Sequence, residues 1–235
     1  MVFTPSATYR IQFHKDFKFR DLQPLIPYLA GLGINTIYAS PIYKARAGST
    51  HGYDVTDAAR LNPEIGTMAE FEELQQTLKT HNMSWLQDIV PNHMAFHPDN
   101  VWLMDVFEKG PLSRYYNSFD INWNHPDPTY TSKVMAPFLG APLAEVLETG
   151  DVKITLTDAG FFVQFYENLY PVSLQTWPEL LAYISEKQAL KKEDSEPIFL
   201  KVKPFAATEI LAADLKNWDE TKASVLKLIA EKSGL

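Results

Sequence analysis

The residues best placed to do chemistry lie in Asp88-Ile89-Val90-Pro91-Asn92-His93, where an apolar run breaks after a proline into an amide and an imidazole. A second polar cluster, His51-Gly52-Tyr53-Asp54-Val55-Thr56-Asp57, stands earlier in the chain. Carboxylate, amide, imidazole and phenol groups gathered at strand ends can hydrogen-bond to, and stack on, a polyhydroxylated ring. The expectation is a sugar-binding pocket. Taken singly, each residue has a plainer reading: a lone histidine is more often structural, an aspartate beside a strand often caps a loop, and a tyrosine next to glycine usually packs. It is the pairing of two clusters at successive strand ends that argues for a site.

The elements that would position them read as strand, helix, strand, helix, strand. Ala7 to Phe13 alternates with period two, as a strand does. From Asp21, read as an N-cap, Leu22, Leu25, Ile26, Leu29 and Leu32 recur at helical spacing until Gly33, with Pro24 and Pro27 in the first turns. Ile34 to Ala39 is β-branched and aromatic, a buried strand. Thr67-Met68-Ala69-Glu70 is a capping box opening a second helix with Phe71, Leu74 and Leu78 on its inner face. Ser84 to Val90 is the third strand. Strands alternating with helices predict βαβ units and a parallel sheet, whose ligands meet the carboxyl ends of the strands. Tyr38, Ser40, Arg46, His51, Tyr53, Asp54 and Asp57 then follow strand two, and Asp88, Asn92 and His93 follow strand three, on one face.

Beyond residue 97 the regularity stops. A short helix is expected around Val101–Val106, an extended piece at Phe119–Asn124, and a β-hairpin over Val152–Tyr166 turning at Asp158-Ala159-Gly160. A helix follows from Trp177 to Ala189. Lys191 to Glu196 reads as a solvated linker, Phe199–Lys203 as a strand, and Thr208–Lys232 as helical with a break near Asn217.

Composition narrows the classes. The chain has 235 residues, a formal net charge of −8 and no cysteine. An acidic balance argues against nucleic acid, which needs a basic face to displace counterions. The arginines end at Arg114, which is uncommon for a site built on guanidinium–phosphate forks. Without cysteine there is no disulfide, thiolate metal site or cysteine nucleophile. No signal peptide is visible at Met1–Pro5 and no apolar run approaches the ~20 residues of a membrane span, so a soluble cytoplasmic protein is expected. Other chemistries lack their signatures. No glycine-rich phosphate turn follows a strand, and no G-x-S-x-G elbow is present. His93 and His97 lack the glutamate of a zinc helix, and Asp54 and Asp57 lack an EF-hand loop.

The residues from Ala7 to Ala95 resemble the α-amylase superfamily, and within it the maltooligosyltrehalose synthases. The resemblance is carried by Tyr9-Arg10-Ile11-Gln12-Phe13, Pro27-Tyr28-Leu29-Ala30, Ile37-Tyr38-Ala39-Ser40-Pro41, Gly48 to Val55 and Asp88 to Met94. It continues through Phe119 to Trp123 and Leu139 to Glu148, and thins after about Leu181. The D-x-V-x-N-H pattern marks such a superfamily, and the two stretches at Gly48 and Leu139 narrow it.

The resemblance implies an α/β fold: an incomplete (β/α)8 TIM barrel comprising the first three βα units, with an irregular α+β insertion after strand three. The expected division is 1–97 for the partial barrel, 98–190 for the insertion with its hairpin, and 191–235 for a linker and C-terminal helical segment. The implied substrate is a malto-oligosaccharide or α-1,4-glucan, rearranged at its reducing end to an α,α-1,1 bond. By position, His93 would hydrogen-bond the sugar, Tyr53 would stack on it with Asp54 beside it, and His51 would also face substrate. Asp88 would be a supporting carboxylate, Asn92 would shape the turn (a metal ligand in calcium-dependent relatives), and Arg46 would assist. No metal and no cofactor is implied.

One departure decides what is expected of the chain. The superfamily nucleophile is the Asp of an R-x-D triplet, and none of Arg10, Arg20, Arg46, Arg60 or Arg114 has Asp two residues on. The catalytic nucleophile and acid/base are therefore missing, and the chain is expected to be an N-terminal portion, inactive alone. A non-catalytic α-glucan-binding module, and one subunit of a split enzyme completed by the missing part of the barrel, are the alternatives. A smaller departure is Asn82-Met83-Ser84-Trp85-Leu86-Gln87 before Asp88, where relatives are more uniformly aliphatic.

Overall fold

A computed structural model describes residues 4–187, 192–203 and 218–233. The chain divides into two compact units, Met1–Val101 and Trp102–Leu235.

In the first unit, strands β1 (Thr8–Ile11), β2 (Thr36–Ala39) and β5 (Ser84–Gln87) form a parallel sheet in that order. Helices α1 (Phe19–Leu22) and α2 (Ile26–Gly31) connect β1 to β2, and α3 (Met68–Thr80) leads into β5. The register sets Arg10, Tyr38 and Leu86 side by side, and Ile11, Ala39 and Gln87 beside one another. Because side chains alternate across a sheet, these two rows face opposite ways. The second face carries the core: Ile11, Phe13, Ile37 and Ala39 pack with Phe19, Leu22, Ile26, Leu29, Leu74 and Leu78 from the helices. Arg10 and Leu86 on the first face are exposed.

Local chemistry explains the element ends. Thr67 caps α3 by accepting the Glu70 N–H at 3.2 Å, while the Glu70 carboxylate accepts the Thr67 N–H at 2.7 Å, the expected capping box. That bond to the backbone N–H, together with the Thr67 hydroxyl, lowers the Glu70 pKa below the ordinary glutamate range. The first helical run starts at Phe19 rather than at Asp21. Asp21 acts inside the first turn, its carboxylate taking the Lys18 N–H at 2.8 Å. Pro24 then removes a helical N–H donor, so Gln23–Leu25 tightens to a 3₁₀ turn between α1 and α2. The run ends at Gly33, whose φ of +85° suits glycine.

The sequence reading did not anticipate the antiparallel pair β3 (Tyr43–Ala45) and β4 (Val55–Leu61). Its register shifts twice within three residues, which blurs the alternation that marks a strand. Residues 46–54 form its turn, so His51, Tyr53 and Asp54 sit on a hairpin tip, and Val55 to Asp57 lie in a strand instead of a loop. Strand β5 is also shorter than expected, ending at Gln87. The polar Gln87 is satisfied there: it accepts the Trp85 indole N–H at 3.0 Å and donates to the Ser40 and Asp88 carbonyls.

In the second unit, β6 (Val152–Thr157), β7 (Gly160–Phe165) and β8 (Asn168–Pro171) form an antiparallel meander that contains the expected hairpin. Helices α4 (Val101–Lys109), α5 (Leu143–Glu148), α6 (Trp177–Lys187), α7 (Lys192–Val202) and α8 (Trp218–Ser233) complete it. The extended piece expected at Phe119–Asn124 forms no strand. Phe199–Lys203 is not a strand either: Ile198 and Val202 are buried one turn apart while Leu200 is exposed, the spacing of a helix. Of the expected linker, Lys192 to Glu196 lies in α7, while Lys191 falls outside the described residues, as do 208–217 of the C-terminal helical stretch. Ile198, Val202, Trp218 and Val225 share one core with Phe161, Trp177 and Leu181. The rings of Trp177 and Trp218 meet edge to face at 5.2 Å.

Candidate functional site

The two polar clusters meet through Tyr53 and Asp88. β1 supplies Arg10, β2 supplies Tyr38, the hairpin tip supplies Tyr53, and Asp88 follows β5, its backbone N–H continuing the ladder to the Ala39 carbonyl at 2.9 Å. The Tyr53 hydroxyl donates to Asp88 Oδ2. Arg10 donates through Nη2 to the Tyr53 oxygen at 2.7 Å and through Nη1 to Asp88 Oδ2 at 3.3 Å. Its guanidinium rests over the Tyr38 ring, 4.5 Å from the centroid. Asp88 is largely shielded, with 17% of its side chain exposed against 37% for Arg10.

These bonds set the charge states. The Tyr53 hydroxyl, and after it Arg10, hold the Asp88 carboxyl below the usual aspartate range, against the opposing pull of partial burial. The Tyr53 phenol is pushed up, first by its bond to Asp88 and then by burial, with Arg10 pulling the other way. At neutral pH the site is a carboxylate, a neutral phenol and a guanidinium.

A second knot shapes the hairpin tip. The Ser49 hydroxyl donates to Asp54 Oδ1 and accepts the Gly52 N–H at 3.1 Å. Gly52 has a φ of +76°, and a Cβ there would stand 2.6 Å from the Pro41 carbonyl oxygen. The turn that aims Tyr53 thus requires glycine. His51 Nδ1 accepts the Tyr53 N–H at 3.0 Å, and Asp54 Oδ1 stands 3.8 Å from the same nitrogen. The rings of His51 and Tyr53 lie 5.9 Å apart.

The remaining expected residues are less engaged. His93 and Asn92 are both exposed, and His93 Nδ1 lies 3.1 Å from the Asn92 side-chain oxygen. Arg46 is exposed and contributes its backbone, its N–H closing the hairpin on the Asp54 carbonyl at 3.1 Å. Arg10 is the residue that sequence reasoning passed over as a site member. Its signal lay in the period-two alternation of β1, which puts Arg10 on the face opposite Ile11. Among the described residues no cluster of three or more His, Asp or Glu side chains is disposed to hold a metal ion, and no helix is long and apolar enough to cross a membrane.

Residues 21–135 match the family described as alpha amylase, catalytic domain. A Mycobacterium tuberculosis protein named as a maltooligosyl trehalose synthase is 37% identical over 148 residues, 60% of this chain and 19% of that one. Over those residues the chain resembles the α-amylase superfamily. Within it the resemblance is to maltooligosyltrehalose synthases. A solved maltooligosyl trehalose synthase shares 38% identity at a TM-score of 0.65, over 72% of this chain and 22% of its own. The enzyme of that name from Arthrobacter ramosus shares 32% at 0.62, over 72% and 21%. The chain spans about a fifth of the length of these relatives.

Proposed function

We propose that the chain is the N-terminal portion of a maltooligosyltrehalose synthase, the first three βα units of a (β/α)8 barrel followed by an insertion, and that it forms the substrate-side wall of the active site. The observation that carries this reading is the hydrogen bond from Tyr53 to Asp88, which joins the hairpin tip to the end of the third parallel strand. It presents an aromatic ring, a carboxylate and a guanidinium together, a set suited to a pyranose with its ring of hydroxyls. Tyr53 stacks on the sugar, and His51, Asp54 and His93 hydrogen-bond its hydroxyls. Asp88, with Arg10, fixes Tyr53, while Asn92 and Arg46 shape the two turns.

The reaction served is the intramolecular transfer that converts the reducing-end α-1,4 bond of a malto-oligosaccharide into an α,α-1,1 bond. A retaining mechanism of this kind uses two carboxyl groups about 5 Å apart, one as nucleophile and one as acid/base. No R-x-D triplet occurs in the chain. Both catalytic carboxyls are therefore assigned to the strands that complete the barrel, and Asp88, tied to Tyr53 and Arg10, supports rather than attacks. Incubation with maltohexaose tests the assignment. The chain alone yields no trehalose-ended product, and release of that product would place the nucleophile within it.

A further inference from the structure

We infer that Arg10 is a positioning residue for the sugar platform: its guanidinium, spanning the Tyr53 hydroxyl and Asp88 while lying on Tyr38, fixes the orientation of the Tyr53 ring. The inference rests on the glucan-binding reading of the same site.

The direction of each bond is what closes the arrangement. A phenol has one proton, and that of Tyr53 goes to Asp88. Its oxygen can then take only a donor, and Arg10 supplies one at 2.7 Å. The guanidinium is always charged and has no acceptor, so the triangle Arg10–Tyr53–Asp88 closes in a single sense. A hydroxyl held by Asp88 alone leaves the ring free to pivot about one bond. A second anchor from a different strand removes that freedom. The guanidinium also rests over the ring of Tyr38, the register partner of Arg10, 4.5 Å from its centroid. Lysine, a point charge on a flexible stem, could reach one acceptor but would not stack or span both. The side chain of Arg10 is also 37% exposed, more than core packing alone would leave it.

The test uses the full chain labelled with 3-fluorotyrosine, the Tyr53 fluorine resonance being assigned by its loss in Tyr53→Phe. In wild type it is expected away from the shift of free fluorotyrosine. Arg10→Gln should move it toward the free value, leave in place the tyrosine resonances other than that of Tyr38, on which the guanidinium lies, and weaken maltoheptaose binding about tenfold, the loss of one charge-assisted hydrogen bond. Arg10→Lys, the milder change, should fall between the two. A Tyr53 resonance unmoved in both variants overturns the inference. Because the fluorine signal is read without ligand, failure of wild type to bind maltoheptaose would instead count against the glucan reading, while a shifted resonance in Arg10→Gln would still support Arg10 as the anchor of the Tyr53 ring.

Discussion

The hydroxyl of Tyr53 donates to the carboxylate of Asp88, 35 residues further along the chain. That bond converts two turns on separate strands into one polar surface, and the proposed function depends on it.

Removing either end should disable the surface in a distinguishable way. Tyr53→Phe keeps the ring and loses the donor, so maltoheptaose affinity should fall about tenfold with little change in fold. Asp88→Asn leaves Arg10 facing a neutral amide and should cost both affinity and thermal stability. Calorimetric titration and a melting curve on each variant separate the two effects.

Gly52 offers a test of geometry rather than chemistry. Its positive φ and the 2.6 Å approach to the Pro41 carbonyl leave no room for a methyl group. Gly52→Ala should destabilise the first unit by more than about 1 kcal/mol, with a lower melting temperature and weaker sugar binding. A variant as stable as wild type would mean that the hairpin tip relaxes freely.

The pH dependence follows from the sign of each shift. Asp88 is depressed in the folded state, so its contribution is fully present above the unfolded aspartate value of about 3.9 and is lost as pH falls through the lower folded value. Tyr53 is raised, so its contribution is complete below the unfolded tyrosine value of about 10 and disappears as pH rises through the higher folded value. Asp88→Asn should flatten the acid limb of a stability–pH curve and Tyr53→Phe the alkaline limb, both followed by denaturant titration.

Helix α3 provides a control remote from the sugar surface. Thr67→Ala removes the cap and should cost about 1 kcal/mol in urea unfolding, without changing affinity for maltoheptaose.

Much of this architecture was legible because its causes are local. The Thr67–Glu70 box and the turn at Asp158-Ala159 are each written within a few residues. What escaped depends on distance or on irregular register. Arg10 reaches Tyr53 and Asp88 across 43 and 78 residues, a pairing that only the parallel sheet creates. β3 and β4 pair through shifted register, so no clean alternation announces them. At Phe199–Lys203, five residues were too short a window to tell a strand from a turn of helix, and burial of Ile198 with Val202 decides for the helix.

The most direct measurement is calorimetric titration of the full chain with maltoheptaose, wild type beside Tyr53→Ala. A glucan-binding surface built on Tyr53 predicts saturable binding by wild type and its loss in the variant. No heat from wild type at millimolar sugar, or equal binding by both proteins, would contradict it.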